Sequence, residues 1–295
     1  MILAPLRGVT IKCFRDCFAQ ALREYGFTEA ITPFITANEG VDPLKDRELR
    51  GVKTGVGPML VTPQFIGKDF EALKCCLKRI KSAGFKTADL NCGCPFPMVR
   101  NKFRGSGILK TRDVFERMVA TGCEIMGPGA FSIKVRLGIE RSDEFLSLVP
   151  VVNKYPLRYV TVHARTAKQM YEGQCDIEAF RLIASEINIP LVYNGDATVE
   201  YGAVRRPDGS NDFLGVKIHD VMIGRGFVKS LAFRDDIRQL LNNYIEMSVK
   251  ELGSSRPVLG RMKELLAYWK DFHGWSRVWK VAKMARTLDE FKDCL

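Results

Sequence analysis

Short apolar runs alternate with stretches of helical periodicity over the first three quarters of this chain. Ile2–Leu6, Glu29–Ile35, Met59–Phe65, Thr87–Asn91, Phe131–Arg136, Arg158–His163, Pro190–Asn194 and Val221–Gly224 read as strands. Each is short, rich in β-branched or aromatic residues, and bounded by Gly, Pro, Asn or Asp. Between them, Thr10–Tyr25 puts Phe14, Cys17, Phe18, Ala21 and Leu22 at helical spacing. Phe70–Ser82, Asp113–Glu124, Ser142–Asn153 and Asp176–Ile187 also predict helices, with Ser142 placed as an N-cap. Eight strands alternating with helices predict an α/β chain folded as a (β/α)8 TIM barrel. A doubly wound sheet would need a glycine fingerprint after the first strand, and Gly8 alone does not supply one. The rhythm weakens between Thr198 and Asp220, where Arg205–Asp212 reads as a turn-rich surface loop in place of a helix.

After Arg225 the strands stop. Leu231–Met247, Arg261–Phe272 and Trp275–Leu288 read as helices, with Ser254–Pro257 as a break. The predicted organisation is a barrel over residues 1–233 followed by a small helical bundle over 234–295. In the last helix Arg277, Lys280, Lys283 and Arg286 recur at i, i+3 spacing, and no acid stands between Gly274 and Thr287. Two readings are open here: a ridge for a nucleic-acid backbone, or a solvated face over a core anchored by Trp275 and Trp279.

Composition narrows the class. With 295 residues and 46% hydrophobic content, the chain can build a large core. A formal net charge of +11 biases it toward a polyanionic partner. No apolar run reaches membrane-spanning length, and Met1–Arg7 lacks the basic start of a secretory signal, so a cytoplasmic protein is expected. Nine cysteines and three histidines show no metal-ligand spacing, so reduced thiols and no metal are expected.

Polar residues collect at the predicted strand ends. Gln64, Asn91, Cys94, Lys134, Arg136, His163, Arg165, Asn194, Asp196 and Arg225 all fall at or just after them, on the face where this fold builds its active sites. Asn194-Gly195-Asp196 and Gly224-Arg225-Gly226 follow strands seven and eight, the usual position of a phosphate cradle. Lys134 has no evident carboxylate partner, which suits either the electron-rich edge of a flavin or a Schiff base. The amide of Gln64 can pair with a pyrimidine-like ring edge. Bound FMN uses Gln64, Lys134, His163, Asn194, Gly224 and Arg225 together, whereas a Schiff-base enzyme leaves Gln64 and Cys94 unexplained. Cys94, in the tight Gly-Cys-Pro turn, carries a thiol that is protonated near neutral pH. It can supply a proton opposite a hydride donor, which points to reduction of an activated C=C bond. Asn91 could hold the substrate's carbonyl or imide edge.

These residues together resemble the tRNA-dihydrouridine synthases. The resemblance rests on Asp89-Leu-Asn-Cys-Gly-Cys-Pro95 with Val99, Lys102 and Gly105-Ser106, on Leu3-Ala4-Pro5, Gln64-x-x-Gly67, Lys134-Val-Arg136, His163-x-Arg165-Thr166 with Tyr171-x-Gly173, Asn194-Gly195-Asp196 and Met222–Gly226. It implies tightly bound FMN, NADPH as electron donor, and reduction of C5=C6 in particular tRNA uridines, with a D-loop uridine as target. It further implies Cys94 as the proton donor to C5 and Asn91 against the uracil. The flavin would touch Ala4, Pro5, Leu6, Gln64, Lys134 and His163, its phosphate would rest on Asn194, Gly195, Gly224 and Arg225, and Asp196 is a further cofactor-binding candidate. Lys102, Arg136, Arg165, Arg277, Lys280 and Lys283 are the remaining substrate-binding candidates, in a chain expected to act as a monomer. Leu6, Pro97, Arg104 and Ala164 depart from the family pattern. The competing reading is an FMN barrel oxidoreductase for a small molecule, of dihydroorotate or enoate type.

Overall fold

The computed structural model describes residues 1–52, 59–200 and 211–295. Its strands are β1 (Ile2–Leu3), β2 (Glu29–Ile31), β3 (Ile35–Thr36), β4 (Leu60–Thr62), β5 (Gln64–Ile66), β6 (Ala88–Cys92), β7 (Phe131–Gly138), β8 (Val160–Thr166), β9 (Leu191–Asn194), β10 (Asn211–Phe213), β11 (Val216–Ile218) and β12 (Asp220–Ile223). Its helices are α1 (Lys12–Cys17), α2 (Ala19–Glu24), α3 (Phe70–Ser82), α4 (Pro97–Arg100), α5 (Arg112–Met126), α6 (Val149–Val152), α7 (Ile177–Glu186), α8 (Arg225–Ser230), α9 (Ile237–Leu252), α10 (Ser255–Ala267), α11 (Trp275–Ala282) and α12 (Leu288–Lys292).

One parallel sheet runs β3-β5-β6-β7-β8-β9-β12-β1-β2-β4. Its last member, β4, and its second, β5, are successive pieces of one stave interrupted at Pro63. Proline has no N–H to give the ladder, and its carbonyl accepts the Asp89 N–H instead at 2.9 Å. With β4 paired to β2 and β5 to β6, the sheet closes on itself, and the expected TIM barrel is what the chain forms. The strands β6, β8 and β9 are buried throughout, as staves covered by helices on the outside must be. At the lower end Glu29 accepts from Thr62, Arg158 and Tyr159, so the buried carboxylate is paired and plugs the barrel.

Several helices differ from expectation. Thr10–Tyr25 divides into α1 and α2 at Phe18, which leaves helical geometry (φ −94°, ψ 17°) where its ring packs on Phe14 and Tyr244. Ser142 caps nothing: the Glu144 carboxylate takes the N–H groups of Ile139, Glu140 and Arg141, and regular helix begins only at α6 after a 3-10 turn. Asp176 does cap α7, accepting from Ala179 N–H at 2.9 Å. The stretch between Thr198 and Asp220, where a loop was expected over Arg205–Asp212, ends in a hairpin, β10 and β11, turned through Leu214 and Gly215, both at positive φ. Phe213 stacks on Tyr193 of β9 at 4.2 Å. Residues 205–210 of that loop lie outside the described residues.

The tail shares the barrel's core. On α9, Tyr244 packs edge-on against Phe14, 5.9 Å away. Trp269 and Trp275, 4.6 Å apart, donate their indole N–H groups to Val228 and Ala232 at 2.7 and 2.9 Å. Gly253, in left-handed geometry, ends α9, and α10 starts at Ser255, earlier than predicted. Pro257 is tolerated there because the first turn needs no donor. The last predicted helix stops at Ala282. Among the described residues, no helix is long and apolar enough to cross a membrane.

Candidate active site

A cavity of about 610 Å³ opens at the C-terminal ends of the strands. Ala4, Pro5 and Leu6 enter it after β1, and Asn91 and Cys94 from the end of β6. Lys134 and Arg136 come from β7, His163 from β8, Asn194 and Gly195 from β9, and Gly224 and Arg225 from β12. Twelve residues singled out from the sequence therefore converge on one space. Alternation along each stave achieves this, since side chains two apart share the inner face.

Cys94 is fixed from two sides. The Asn91 side chain accepts the N–H groups of Gly93 and Cys94 at 3.1 and 2.8 Å, bending the chain as β6 ends. From the other side, Ser106 donates both its N–H and its hydroxyl to the Cys94 carbonyl. Gly105 allows that approach: at φ +56° any side chain is strained, and a Cβ there would meet the Cys94 Cβ at 2.7 Å. The thiol is 7% exposed, and burial pushes its pKa up despite the pull of nearby Arg136, Arg7 and Lys134. It is a protonated thiol facing the cavity, able to give a proton rather than to attack.

The opposite wall is cationic. Burial, reinforced by Arg136, brings Lys134 down to about 7; its ammonium donates to Asn194 Oδ1 at 2.8 Å. Burial and the same cations hold His163 well below its ordinary value, so the ring is neutral. Its tautomer follows from Arg165. A guanidinium can only donate, so the His163 Nε2 that lies 3.3 Å from Arg165 Nη1 accepts, and the ring proton sits on Nδ1. Asp196 bridges Arg165 and Arg225. Tyr171 lies between two guanidiniums, each 5.2 Å from its ring: Arg136 and Arg225.

Some expected site residues stand elsewhere. Gln64 does not line the cavity. It is fully buried behind Asn91, with its amide oxygen accepting from Asn91 at 2.8 Å and its nitrogen donating to Asp89 at 2.7 Å. Arg165 and Asp196 also lie outside the lining, where they brace His163 and Arg225. Lys102 is exposed on the loop beyond Cys94, and Arg277, Lys280 and Lys283 are exposed on and just after α11, away from the cavity. Sequence reasoning missed Arg7, Phe34, Phe96, Met98, Glu264 and Tyr268, which complete the rim. Glu264 on α10 and Tyr268 at its C-cap are four apart, beside a buried stripe of Met262, Leu265 and Leu266 that Trp269 continues past the helix end. That spacing marks a shared face, but only the docking of the tail turns the face toward the cavity. Among the described residues, no cluster of His, Cys, Asp and Glu could hold a metal.

The family profile described as "Dihydrouridine synthase (Dus)" matches residues 2–285. The chain belongs to the dihydrouridine synthase family. It is 28% identical to a probable tRNA-dihydrouridine synthase of Rhizobium leguminosarum bv. phaseoli, over 77% of this chain and 68% of that one. It is 25% identical to a tRNA-dihydrouridine(16) synthase of Neisseria meningitidis serogroup B, over 100% of this chain and 93% of that one. With tRNA-dihydrouridine synthase B of Pseudomonas syringae pv. tomato the identity is 27%, over 66% and 57%. Among solved structures, morphinone reductase (TM-score 0.50, 12% identity, covering 78% and 82%) and an old yellow enzyme homologue from Zymomonas mobilis (0.50, 11%, 78% and 85%) share the barrel fold with this Dus-family chain.

Lys134 is protonated below about 7 and neutral above it, so an anionic ligand lying against it loses attraction as pH rises through that value. The affinity of flavin-stripped protein for FMN is predicted to fall across this range relative to Lys134→Met, by up to about tenfold per pH unit. Parallel profiles for the two proteins would place the lysine away from the ligand.

Proposed function

We propose that this chain reduces the C5=C6 bond of uridines in tRNA to 5,6-dihydrouridine, with bound FMN and with NADPH as the electron source. The observation that carries this reading is the protonated Cys94 thiol, held facing a cation-walled cavity at the mouth of a Dus-family barrel. The donor set suits a flavin mononucleotide. Lys134 has a half-buried amine hydrogen-bonded to an amide oxygen and, among the described residues, in no carboxylate ion pair, fit for an electron-rich ring edge. His163 offers an Nδ1 proton. Asn194, Gly195, Gly224 and Arg225 gather at one end, where a phosphate needs donors, and Gly224 lets the chain pass close to Ala4 and Leu6, 3.1 and 3.2 Å from where a Cβ would sit.

When bound, FMN would supply the hydride equivalent for C6, with NADPH as the source of electrons. The chain's own residues do the rest. Cys94 gives its thiol proton to C5, and solvent returns a proton to the sulfur. Asn91 holds the Cys94 turn. Arg136 fixes the loop after β8 through the carbonyls of Thr166 and Met170, and grips the Gly93 carbonyl at 3.0 Å. The base must leave its stack to reach a barrel mouth. Phe96 and Met98, 45% and 74% exposed at the rim, offer apolar surface to the bases beside it, with Arg100 and Lys102 alongside for phosphates. On and after α11, Arg277, Lys280 and Lys283 are exposed without ion pairs among the described residues, and are read as contacts to the tRNA backbone.

Two measurements test this reading. Mass spectrometry of tRNA from cells with and without the gene should show uridines that gain two hydrogens only when it is present. No such gain, together with NADPH-dependent turnover of an enone or dihydroorotate by the purified protein, would favour the small-molecule alternative. Reversing Lys280 and Lys283 to Glu should weaken tRNA binding and flatten its salt dependence while leaving flavin content unchanged. Equal affinity would leave the ridge a solvated face.

A further inference from the structure

A continuous chain of hydrogen bonds runs beneath the cavity from Cys94 to a buried carboxylate. The N–H groups of Gly93 and Cys94 donate to Asn91 Oδ1. Asn91 Nδ2 donates to Gln64 Oε1 at 2.8 Å, and Gln64 Nε2 to Asp89 Oδ2 at 2.7 Å. Ser132 closes the chain, its hydroxyl 2.6 Å from Asp89 Oδ1. Strand register brings these residues together: Asp89 lies opposite Gln64 on β5 and opposite Ser132 on β7. Gln64, Asp89 and Ser132 are wholly buried, and Gln64 and Asp89 line no part of the cavity.

We propose that Asp89 and Gln64 are positioning residues for Cys94: an acceptor at position 89 sets the direction of an amide relay that holds the Cys94 turn. The logic is one of donors and acceptors. Backbone N–H groups can only donate, so Asn91 must turn its oxygen to them and its nitrogen to Gln64. Gln64 must then turn its oxygen to Asn91 and its nitrogen to Asp89, which must accept. Either amide turned the other way would set donor against donor in a buried site, at the full desolvation cost of an unmade hydrogen bond. Reversal at one point is therefore felt at Cys94, three side chains away. This inference rests on the proton-donor role proposed for that thiol.

The test compares Gln64→Met, Asp89→Leu and Asp89→Asn as full-length flavoproteins. Asn at position 89 keeps an oxygen toward Gln64, and its N–H₂ can donate to the Ser132 hydroxyl, which accepts. The first readout is amide hydrogen exchange of the Gly93 and Cys94 N–H groups, which needs no turnover. Exchange should rise by about tenfold in Gln64→Met and Asp89→Leu, the worth of one hydrogen bond, and stay at the parental rate in Asp89→Asn. The second readout separates the half-reactions. Reduction by NADPH should be unchanged in Asp89→Leu, while reoxidation of the reduced flavin by tRNA should slow by about tenfold or more in the two chain-breaking variants.

Parental exchange in Gln64→Met would overturn the proposal, as would an Asp89→Asn variant as impaired as Asp89→Leu. Loss of flavin from Gln64→Met with exchange unchanged would make Gln64 a flavin contact instead. If Asp89→Leu does not fold, Gln64→Met and Asp89→Asn decide between them. A parent that never passes electrons to tRNA would refute the functional reading, and the exchange arm would still report on the relay.

Discussion

Excess positive charge in a confined space is the condition on which this site depends. Lys134, Arg136 and Arg225 meet at the mouth of one closed barrel, with Arg165 directly behind His163. Two carboxylates answer them from behind the wall: Asp196, already bridging Arg165 and Arg225, and the buried Asp89, which acts on Lys134. Among the described residues, Glu264 is the one acid lining the cavity, and it comes from the tail, over Gly8. The consequences follow from electrostatics in a low-dielectric interior. Lys134 loses much of its hold on a proton, and His163 stays neutral. An electron-rich ring or a phosphate relieves the imbalance when it enters, so binding and charge neutralisation are one event.

Cys94 experiences the same field with the opposite result. Cations nearby would ordinarily favour a thiolate, yet burial outweighs them and the thiol keeps its proton. A thiolate at this position could attack an electrophile; a thiol can only donate. The hydrogen bonds of its backbone neighbours to Asn91, and the return of Ser106 and Gly105 over the same loop, give the sulfur one place to stand. The tail completes the enclosure. Trp269 and Trp275 tie it to the carbonyls after β12, so α10 and its C-cap contribute Glu264 and Tyr268 to the cavity from a fixed position.

Much of this was legible in the sequence because a parallel barrel converts strand order into spatial neighbourhood. A polar residue at the end of any stave reaches the same mouth, so Cys94, Lys134, His163, Asn194 and Arg225 could be grouped before any distance was known. Orientation was not legible. Gln64 was expected against a flavin because its amide suits a ring edge, but the same amide also suits the Asp89 and Asn91 side chains that register places beside it. Arg165 was expected near substrate; its guanidinium meets His163 from outside the cavity lining. Helix spans failed where a side chain outside the periodic pattern took over the backbone, as Glu144 does at the expected Ser142 cap. The rim residues Glu264 and Tyr268 depend on how the tail docks, which no local pattern encodes.

The most direct test of the central claim is an anaerobic single-turnover experiment. Photoreduced flavoprotein, parent and Cys94→Ala, is mixed with unmodified tRNA, and the return of the flavin absorbance is followed. The account predicts rapid reoxidation with dihydrouridine formation in the parent. In Cys94→Ala it predicts a flavin that stays reduced although NADPH reduces it normally. Reoxidation of Cys94→Ala by tRNA at the parental rate would contradict the account, because the proton at C5 would then come from elsewhere.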